Sequence, residues 1–287
     1  MSHHLNIDTV AIIESLPAIE KQTGKLLEEH LKKNGRDAVY YSVVTANQFL
    51  AAIQDVERMS SSLGKRVALH FEIHGTRDGY HLSNGAFVPW MQVRRDIVNL
   101  NVSQKNHLLV SMAVCEGKWL LEIMKATKTS PFYALISSQE EIFEADIERG
   151  FPVFYDAVFD GKSLEDATLQ FNLSQNHSDF TLTTTEEMFA KVFEQYFSKC
   201  CSQEAIELRA KKTRKRLTEL GVTDRELKHK LVQRYKKTVT KEQEPSFEKY
   251  RAEFFMHDAY PENMAEFCPA YEELAGKLGK QPPPDQK

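Results

Sequence analysis

The sequence has few cysteines and no long apolar run, and these absences exclude several classes of protein. Its 287 residues hold four cysteines, which are too sparse for a disulfide framework and form no Cys-x-x-Cys metal pair. No stretch approaches the roughly 20 apolar residues that a membrane-spanning helix requires. The first residues, Met1 to Asp8, lack the apolar core of a signal peptide. We therefore expect a cytoplasmic protein with reduced thiols and no membrane partner.

Signatures of nucleotide and cofactor binding are also missing. The chain contains no P-loop, no glycine-rich dinucleotide fingerprint and no internal repeat. Its formal net charge of −4 gives no overall reason to expect a nucleic acid or an anionic membrane as a partner. We expect neither a cofactor nor a metal ion.

Strand and helix patterns alternate over the first 185 residues. The apolar runs that are typical of buried strands cover residues 9–13, 38–44, 67–73, 108–115 and 131–136. Helical patterns lie between most of these runs, and Asn84-Gly85 closes a predicted hairpin. The alternation predicts an α/β fold, with a mostly parallel sheet flanked by helices on both faces.

The last hundred residues are different in character. We predict a first domain over residues 1–184, an α-helical region over 185–287 that binds or regulates a partner, and a disordered tail from about residue 279. Basic residues greatly outnumber acidic ones over 209–237. Two interpretations stay open: a solvated helical face, which we favour, or a surface for an acidic partner or nucleic acid. Tyr235 is nearly the only aromatic residue there, which argues against single-strand binding.

Two residues with catalytic potential follow separate apolar runs. His74 precedes Gly75 at the end of one run, and Cys115 ends another. The carboxyl ends of neighbouring parallel strands meet at one edge of a sheet, where an imidazole can meet a thiol and favour the nucleophilic thiolate. The residues after Cys115 have helical spacing, and a helix N-terminus would stabilise the thiolate further. A cysteine is often only a small core residue, but the position of Cys115 at the end of the apolar run favours a nucleophile. His70 lies within its apolar run, and we expect it to be a core histidine.

The order and spacing of these motifs resemble a known family. The apolar-His-Gly run is followed by a hairpin that ends in Val88-Pro89-Trp90, and then by an apolar run that ends in Cys115-Glu116-Gly117. This pattern resembles the caspase-fold (clan CD) cysteine peptidases. It is most similar to the CHAT branch of the bacterial caspase-like proteases, and the resemblance covers roughly residues 8–171.

The resemblance implies a role for each matching residue. Cys115 would be the nucleophile of a Cys-His dyad and His74 its general acid and base, with no acidic third member required. The backbone N–H groups of Gly75 and Cys115 would form the oxyanion hole. The implied substrate-binding residues are Ala113, Ser137, Ser138 and Glu140, the last three in a loop expected to extend from Ser137 to Gly150. Ala113 offers neither charge nor a hydrogen bond, which favours a small or uncharged P1 residue.

The resemblance also implies a function. It indicates an intracellular thiol protease, a hydrolase that cleaves a specific protein substrate, is regulated, and acts in bacterial defence or cell death. An activating or inhibitory protein would bind the helical C-terminal region, whereas nucleic acid is the less favoured partner there. Two alternatives stay open. One is a non-catalytic interaction module on the same fold with a vestigial dyad, and the other is a thiol hydrolase of another type, such as an esterase or acyl transferase.

Overall fold

A computed structural model describes residues 3–124, 128–138, 140–177 and 179–278. The chain divides into two compact units, of which the first comprises Met1–Met124 and Ser130–Thr185, and the second comprises Lys125–Thr129 and Glu186–Lys287. The domain boundary predicted at residue 184 lies beside the boundary between Thr185 and Glu186. The predicted disordered tail lies outside the described residues.

A mixed sheet forms the centre of the first unit. Its strands are β1 Thr9–Ser15, β2 Asp37–Ser42, β3 Val67–Thr76, β4 Gly79–His81, β5 Phe87–Pro89, β6 Leu109–Ala113, β7 Ala134–Ser138 and β8 Phe180–Thr184. The main sheet has the order β2-β1-β3-β6-β7-β8, in which only β8 is antiparallel to its neighbour. The last residues of β3 pair with β4, and β4 pairs with β5, to form the predicted hairpin.

Five α-helices connect the strands of the first unit. They are α1 Thr23–Lys33, α2 Ala46–Leu63, α3 Trp90–Ser103, α4 Glu144–Phe159 and α5 Leu164–Leu173. Helix α1 packs against α4 and α4 against α5, whereas α2 packs against α3. Helix α2 begins with a capping box in which Thr45 and Gln48 each accept from the other's backbone N–H, and it ends at Gly64, whose φ is 67°. The predicted class, a mostly parallel α/β sheet with flanking helices, is confirmed.

The central strands are buried because their side chains are largely apolar on both faces. All seven residues of β1 are buried, as are residues 67–73 of β3. Continuous burial of this kind is typical of parallel strands that are covered by helices. Five buried polar side chains interrupt the apolar pattern, namely Thr9, Glu14, Ser15, His70 and Glu72. The two carboxylates and the imidazole among them have hydrogen-bond partners within the unit.

The helix predicted after Cys115 has a different form. Residues Gly117–Ile123 form a 3₁₀ helix and not an α-helix. Glu116, directly before it, has a φ of 57°, so the chain turns sharply between the thiol and the helix. Seven residues of 3₁₀ helix give only a short row of aligned peptide dipoles. A helix therefore follows Cys115 as predicted, although it is a 3₁₀ helix, and its effect on the thiolate stays a prediction.

The loop predicted from Ser137 to Gly150 is mostly regular structure. Ser137 and Ser138 belong to β7 and are fully buried, because they pair with Thr181 and Phe180 of β8. Strand β8 is absent from the sequence prediction, although its alternating Phe-Thr-Leu-Thr-Thr residues are good strand formers. At the other end, α4 already begins at Glu144.

The second unit is helical, as the sequence predicts. Its helices are α6 Thr185–Cys200, α7 Gln203–Glu219, α8 Arg225–Lys241, α9 Gln243–Phe254, α10 Asn263–Glu266 and α11 Tyr271–Leu278. Its core is a cluster of fully buried aromatic rings, contributed by Phe189, Phe193, Phe247, Phe254 and Phe255. Within the described ranges, every helix is too short or too polar to cross a bilayer.

Candidate active site

The sheet brings His74 and Cys115 to the same level of its carboxyl edge. Strands β3 and β6 pair in parallel up to Glu72, which lies opposite Ala113. His74 and Cys115 each follow two residues later on their own chain segments. The Cys115 thiol is half-buried, and the His74 side chain is 51% exposed. Parallel pairing in this register brings the two predicted catalytic residues to the same edge of the sheet.

His74 and Cys115 line one cavity of about 210 Å³. Its other walls come from the segment after β1, including Glu20, from Ala113 at the end of β6, and from residues 141–147. A space of this size beside the Cys115 thiol can admit one amino-acid side chain. Ala113 lines this cavity, and its role in substrate binding stays a prediction.

Charges around this cavity are mainly negative. Glu20, Glu141 and Glu144 contribute carboxylates to its lining, and Lys21 contributes an ammonium group. Lys21 pairs with the carboxylate of Glu144 at 3.8 Å and forms a closer ion pair with Glu148. The cavity consequently favours neutral or cationic groups over anionic ones.

Gly75 permits a close approach between the two segments that carry the dyad. A Cβ atom at this position would lie 2.4 Å from the Cys115 carbonyl oxygen and 2.2 Å from Cγ1 of Val114. Any residue other than glycine would push the end of β3 away from the Cys115 segment. The missing side chain at position 75 therefore leaves room for the neighbouring main chain.

A carboxylate holds the His74 ring. Nε2 of His74 lies 2.8 Å from Oε2 of Glu20. Because a carboxylate accepts hydrogen bonds, this contact makes Nε2 the protonated nitrogen, and it leaves Nδ1 of a neutral ring free to accept a proton. Glu20 is not among the site residues predicted from the sequence, and the predicted dyad requires no acidic partner. Its position in the loop after β1, beside the edge where β3 ends, was the available signal.

Trp90 and Arg77 connect the loops on either side of the dyad. Nε1 of Trp90 donates to the carbonyl oxygens of Thr76 and Arg77, at 3.1 and 2.9 Å. The Arg77 guanidinium lies over the ring of Trp119, 4.2 Å from its centroid, in the 3₁₀ helix after Cys115. These contacts tie the chain that follows His74 to the chain that follows Cys115.

His70 is a core histidine, as predicted. It is fully buried, with Nε2 2.9 Å from Oε1 of Glu72 and Nδ1 2.8 Å from Oγ of Ser111. Ser111 Oγ is in turn hydrogen-bonded to the hydroxyl of Tyr155. The other oxygen of Glu72 accepts from Oγ1 of Thr23 at 2.8 Å, which anchors the start of α1. This network fixes the part of β3 that precedes His74.

Glu14 supports the same region from β1. Its carboxylate is 1% exposed and accepts from the backbone N–H of Gly24 at 2.7 Å and from the hydroxyl of Tyr40. Burial raises the pKa of Glu14 above its ordinary value, against the lowering effect of these hydrogen bonds. Two buried carboxylates, those of Glu14 and Glu72, therefore fix the α1 end of the connection that carries Glu20.

The three remaining predicted substrate-binding residues are placed differently from one another. Ser137 and Ser138 are buried in β7 and do not line the cavity. The expectation that they lie in a substrate loop is therefore wrong. Glu140 is exposed, its N–H donates to Oγ of Ser138 at 3.1 Å, and its carbonyl oxygen accepts from Glu116 N–H at 3.5 Å. The chain at Glu140 thus reaches the turn after the thiol.

Comparison with known proteins adds no family to this geometry. A scan against protein-family models gives no match, and a search of the curated proteins gives none either. The resemblance to caspase-fold peptidases remains a prediction that rests on the motifs themselves.

Proposed function

We propose that this chain is a caspase-like cysteine endopeptidase in which Cys115 is the nucleophile and His74 the general acid and base. One observation carries the proposal: the two residues line a single cavity from the ends of neighbouring parallel strands. Nucleophilic catalysis by a thiol requires a base for the thiol, a group that orients this base, and a space beside both for the substrate.

The reaction follows from these groups. Nδ1 of His74 takes the proton of the Cys115 thiol, and the sulfur attacks the scissile carbonyl carbon of a bound peptide. Backbone N–H groups of Gly75 and Cys115 stabilise the oxyanion, a contribution that is typically about 3 kcal/mol for each donor. The imidazolium then protonates the leaving amine as the C–N bond breaks. Water, deprotonated by His74, hydrolyses the thioester and releases the thiol.

Glu20 acts as a positioning residue. Its hydrogen bond to Nε2 fixes the His74 tautomer that leaves Nδ1 for the thiol. This role resembles that of the aspartate in a Ser-His-Asp triad, which orients its histidine without taking the proton. Because both side chains are partly exposed, we expect the contribution of Glu20 to be smaller than that of a buried aspartate.

The cavity lining constrains the P1 residue. Ala113 gives an apolar wall without hydrogen-bonding capacity, and the surrounding carboxylates repel an anionic side chain. We propose a small or uncharged P1 residue, and we expect Asp and Glu to be excluded. The resemblance further suggests a cytoplasmic, regulated enzyme that cleaves one specific protein in bacterial defence or cell death.

A proteome-wide search for new protein N-termini tests the proposal. Host cells would express the wild type, Cys115→Ala, or Cys268→Ala as a matched control that removes an exposed cysteine elsewhere. The proposal predicts new termini with the wild type and with Cys268→Ala, and none with Cys115→Ala. Identical termini in all three would refute it, and would leave a thiol hydrolase of another type or a non-catalytic interaction module.

A further inference from the structure

The second unit carries a cationic hairpin, formed by α7 and α8. Residues 203–241 contain thirteen Lys and Arg residues and five Asp and Glu residues, a local formal charge of +8 in a chain of −4 overall. The rest of the chain therefore carries −12. A local charge opposite to that of the whole molecule marks this hairpin as a distinct electrostatic surface.

The outer face of α8 concentrates this charge in a stripe. Lys230, Arg234, Lys237 and Lys241 are four, three and four residues apart, a spacing that places them on one side of a helix. All four are exposed, and the buried Val232 lies on the opposite side of α8. At 1.5 Å per residue the stripe is about 16 Å long.

Most of the stripe has no acidic partner. Lys230 pairs with Glu226 at 2.7 Å, where both side chains are more than 70% exposed. Arg234, Lys237 and Lys241 make no ion pair with any residue that the structure describes. They line an open space of about 460 Å³ along α8.

Other cations of the hairpin have structural roles. Lys236 forms an ion pair with Glu207 of α7, and the Arg209 guanidinium lies over the Tyr235 ring, 6.0 Å from its centroid. These contacts join the two helices to each other. The stripe therefore differs in kind from the cations between the helices, because it contributes nothing to holding the hairpin together.

We propose that the stripe on α8 binds double-stranded DNA through its phosphates, independently of the proposed peptidase activity. Regularly spaced cations without interleaved carboxylates suit a uniform polyanion better than the mixed surface of a protein. Tyr235 is the only Phe, Tyr or Trp residue of the hairpin and is half-buried against Arg209, so the hairpin offers little surface for stacking unpaired bases. The major groove of B-form DNA admits an α-helix, whereas that of double-stranded RNA is too narrow.

Fluorescence anisotropy with the full chain and a labelled duplex of random sequence tests the proposal. Neutralising about four phosphates predicts a slope of about −4 in a plot of log affinity against log salt concentration. The double variant Arg234→Glu with Lys237→Glu should lower the affinity at about 0.1 M salt by at least about tenfold, and should roughly halve the slope. The matched control is Lys33→Glu with Lys162→Glu, which makes the same charge change on exposed cations of the first unit and should leave binding unchanged.

Each other outcome would overturn the proposal. The wild type could fail to bind the duplex at low salt, or the variant and the control could lose affinity equally. The wild type could also bind single-stranded DNA, double-stranded RNA or polyglutamate more tightly than the DNA duplex. If circular dichroism shows that the charge reversal unfolds α8, the milder variant Arg234→Gln with Lys237→Gln decides in its place. That variant should lose affinity relative to Lys33→Gln with Lys162→Gln, and equal affinities would refute the DNA site.

Discussion

Replacing Gly75 by alanine should separate the two halves of the dyad. The new Cβ would lie 2.4 Å from the Cys115 carbonyl oxygen, whereas ordinary van der Waals contact begins at 3.4 Å. The end of β3 and the Cys115 segment must therefore move apart by about 1 Å. Overpacking of this kind typically costs about 1–3 kcal/mol of folding free energy. A displacement of about 1 Å between reacting groups can lower a catalysed rate by about a hundredfold.

Two measurements would follow the effect of Gly75→Ala. The chain has two tryptophans, Trp90 and Trp119, and both lie in the first unit, so urea unfolding monitored by tryptophan fluorescence reports the stability of this unit. Alkylation of Cys115 by iodoacetamide, followed by mass spectrometry, reports the activation of the thiol by His74 that the proposed function requires. We expect lower stability and slower alkylation of Cys115, with no change at the exposed Cys268.

Gly117→Ala provides a graded comparison on the other side of Cys115. Its Cβ would lie 3.1 Å from both Cβ and Sδ of Met112, a contact that a shift of a few tenths of an ångström relieves. We expect this variant to lose less stability and less thiol reactivity than Gly75→Ala. If Gly75→Ala matched the wild type in both measurements, the close approach of the two segments would have no importance for the site.

Three further predictions concern residues around the site and the fold. Glu20→Ala should lower the rate of peptide cleavage about tenfold, and Glu20→Gln, which can still accept a hydrogen bond, should recover part of this rate. Equal cleavage rates in Glu20→Ala and the wild type would exclude a positioning role. Burial raises the pKa of Glu14 above 4.5, so the native state favours the protonated form of this carboxyl more than the unfolded state does. The wild type should therefore lose stability relative to Glu14→Gln as the pH rises from 4.5 through the raised pKa. Urea unfolding at a series of pH values measures this difference, and a constant difference would contradict it. Thr45→Ala removes the capping box of α2 and should cost about 1 kcal/mol in the same assay, unlike an exchange of the exposed Ser61 for alanine.

Much of the fold could be predicted because its signals are local. The apolar run at β3, the Asn84-Gly85 turn and the buried position of His70 each follow from periodicity or turn chemistry within a few residues. Parallel neighbours then put His74 and Cys115 at one edge without further information. These features depend on short stretches of sequence and on a general rule of sheet topology.

The remaining features depend on contacts between distant segments. Glu20 meets His74 across 54 positions of sequence. Its position after β1 indicates which edge of the sheet it lies beside, but it does not identify His74 as its partner. Ser137 and Ser138 are polar, and they are buried only because β8 adds to the edge of the sheet some forty residues later. Strand β8 itself is rich in threonine and is too short for a strong periodic signal. At these positions the structure depends on pairing with distant segments, and the secondary-structure preference of the local sequence does not predict it.

The pairing of β3 also has a consequence for the order in which the protein folds. Its partners are distant along the chain, since Thr9 pairs with Val67 and Leu69 with Val110, separations of 58 and 41 residues. Contacts that close long loops form slowly, because the loop entropy must be lost before the contacts compensate for it. His74 therefore meets Cys115 only when this late pairing is complete. On the proposed function, a chain still emerging from the ribosome has a thiol without its base, and it cannot digest itself or its neighbours before the sheet has formed.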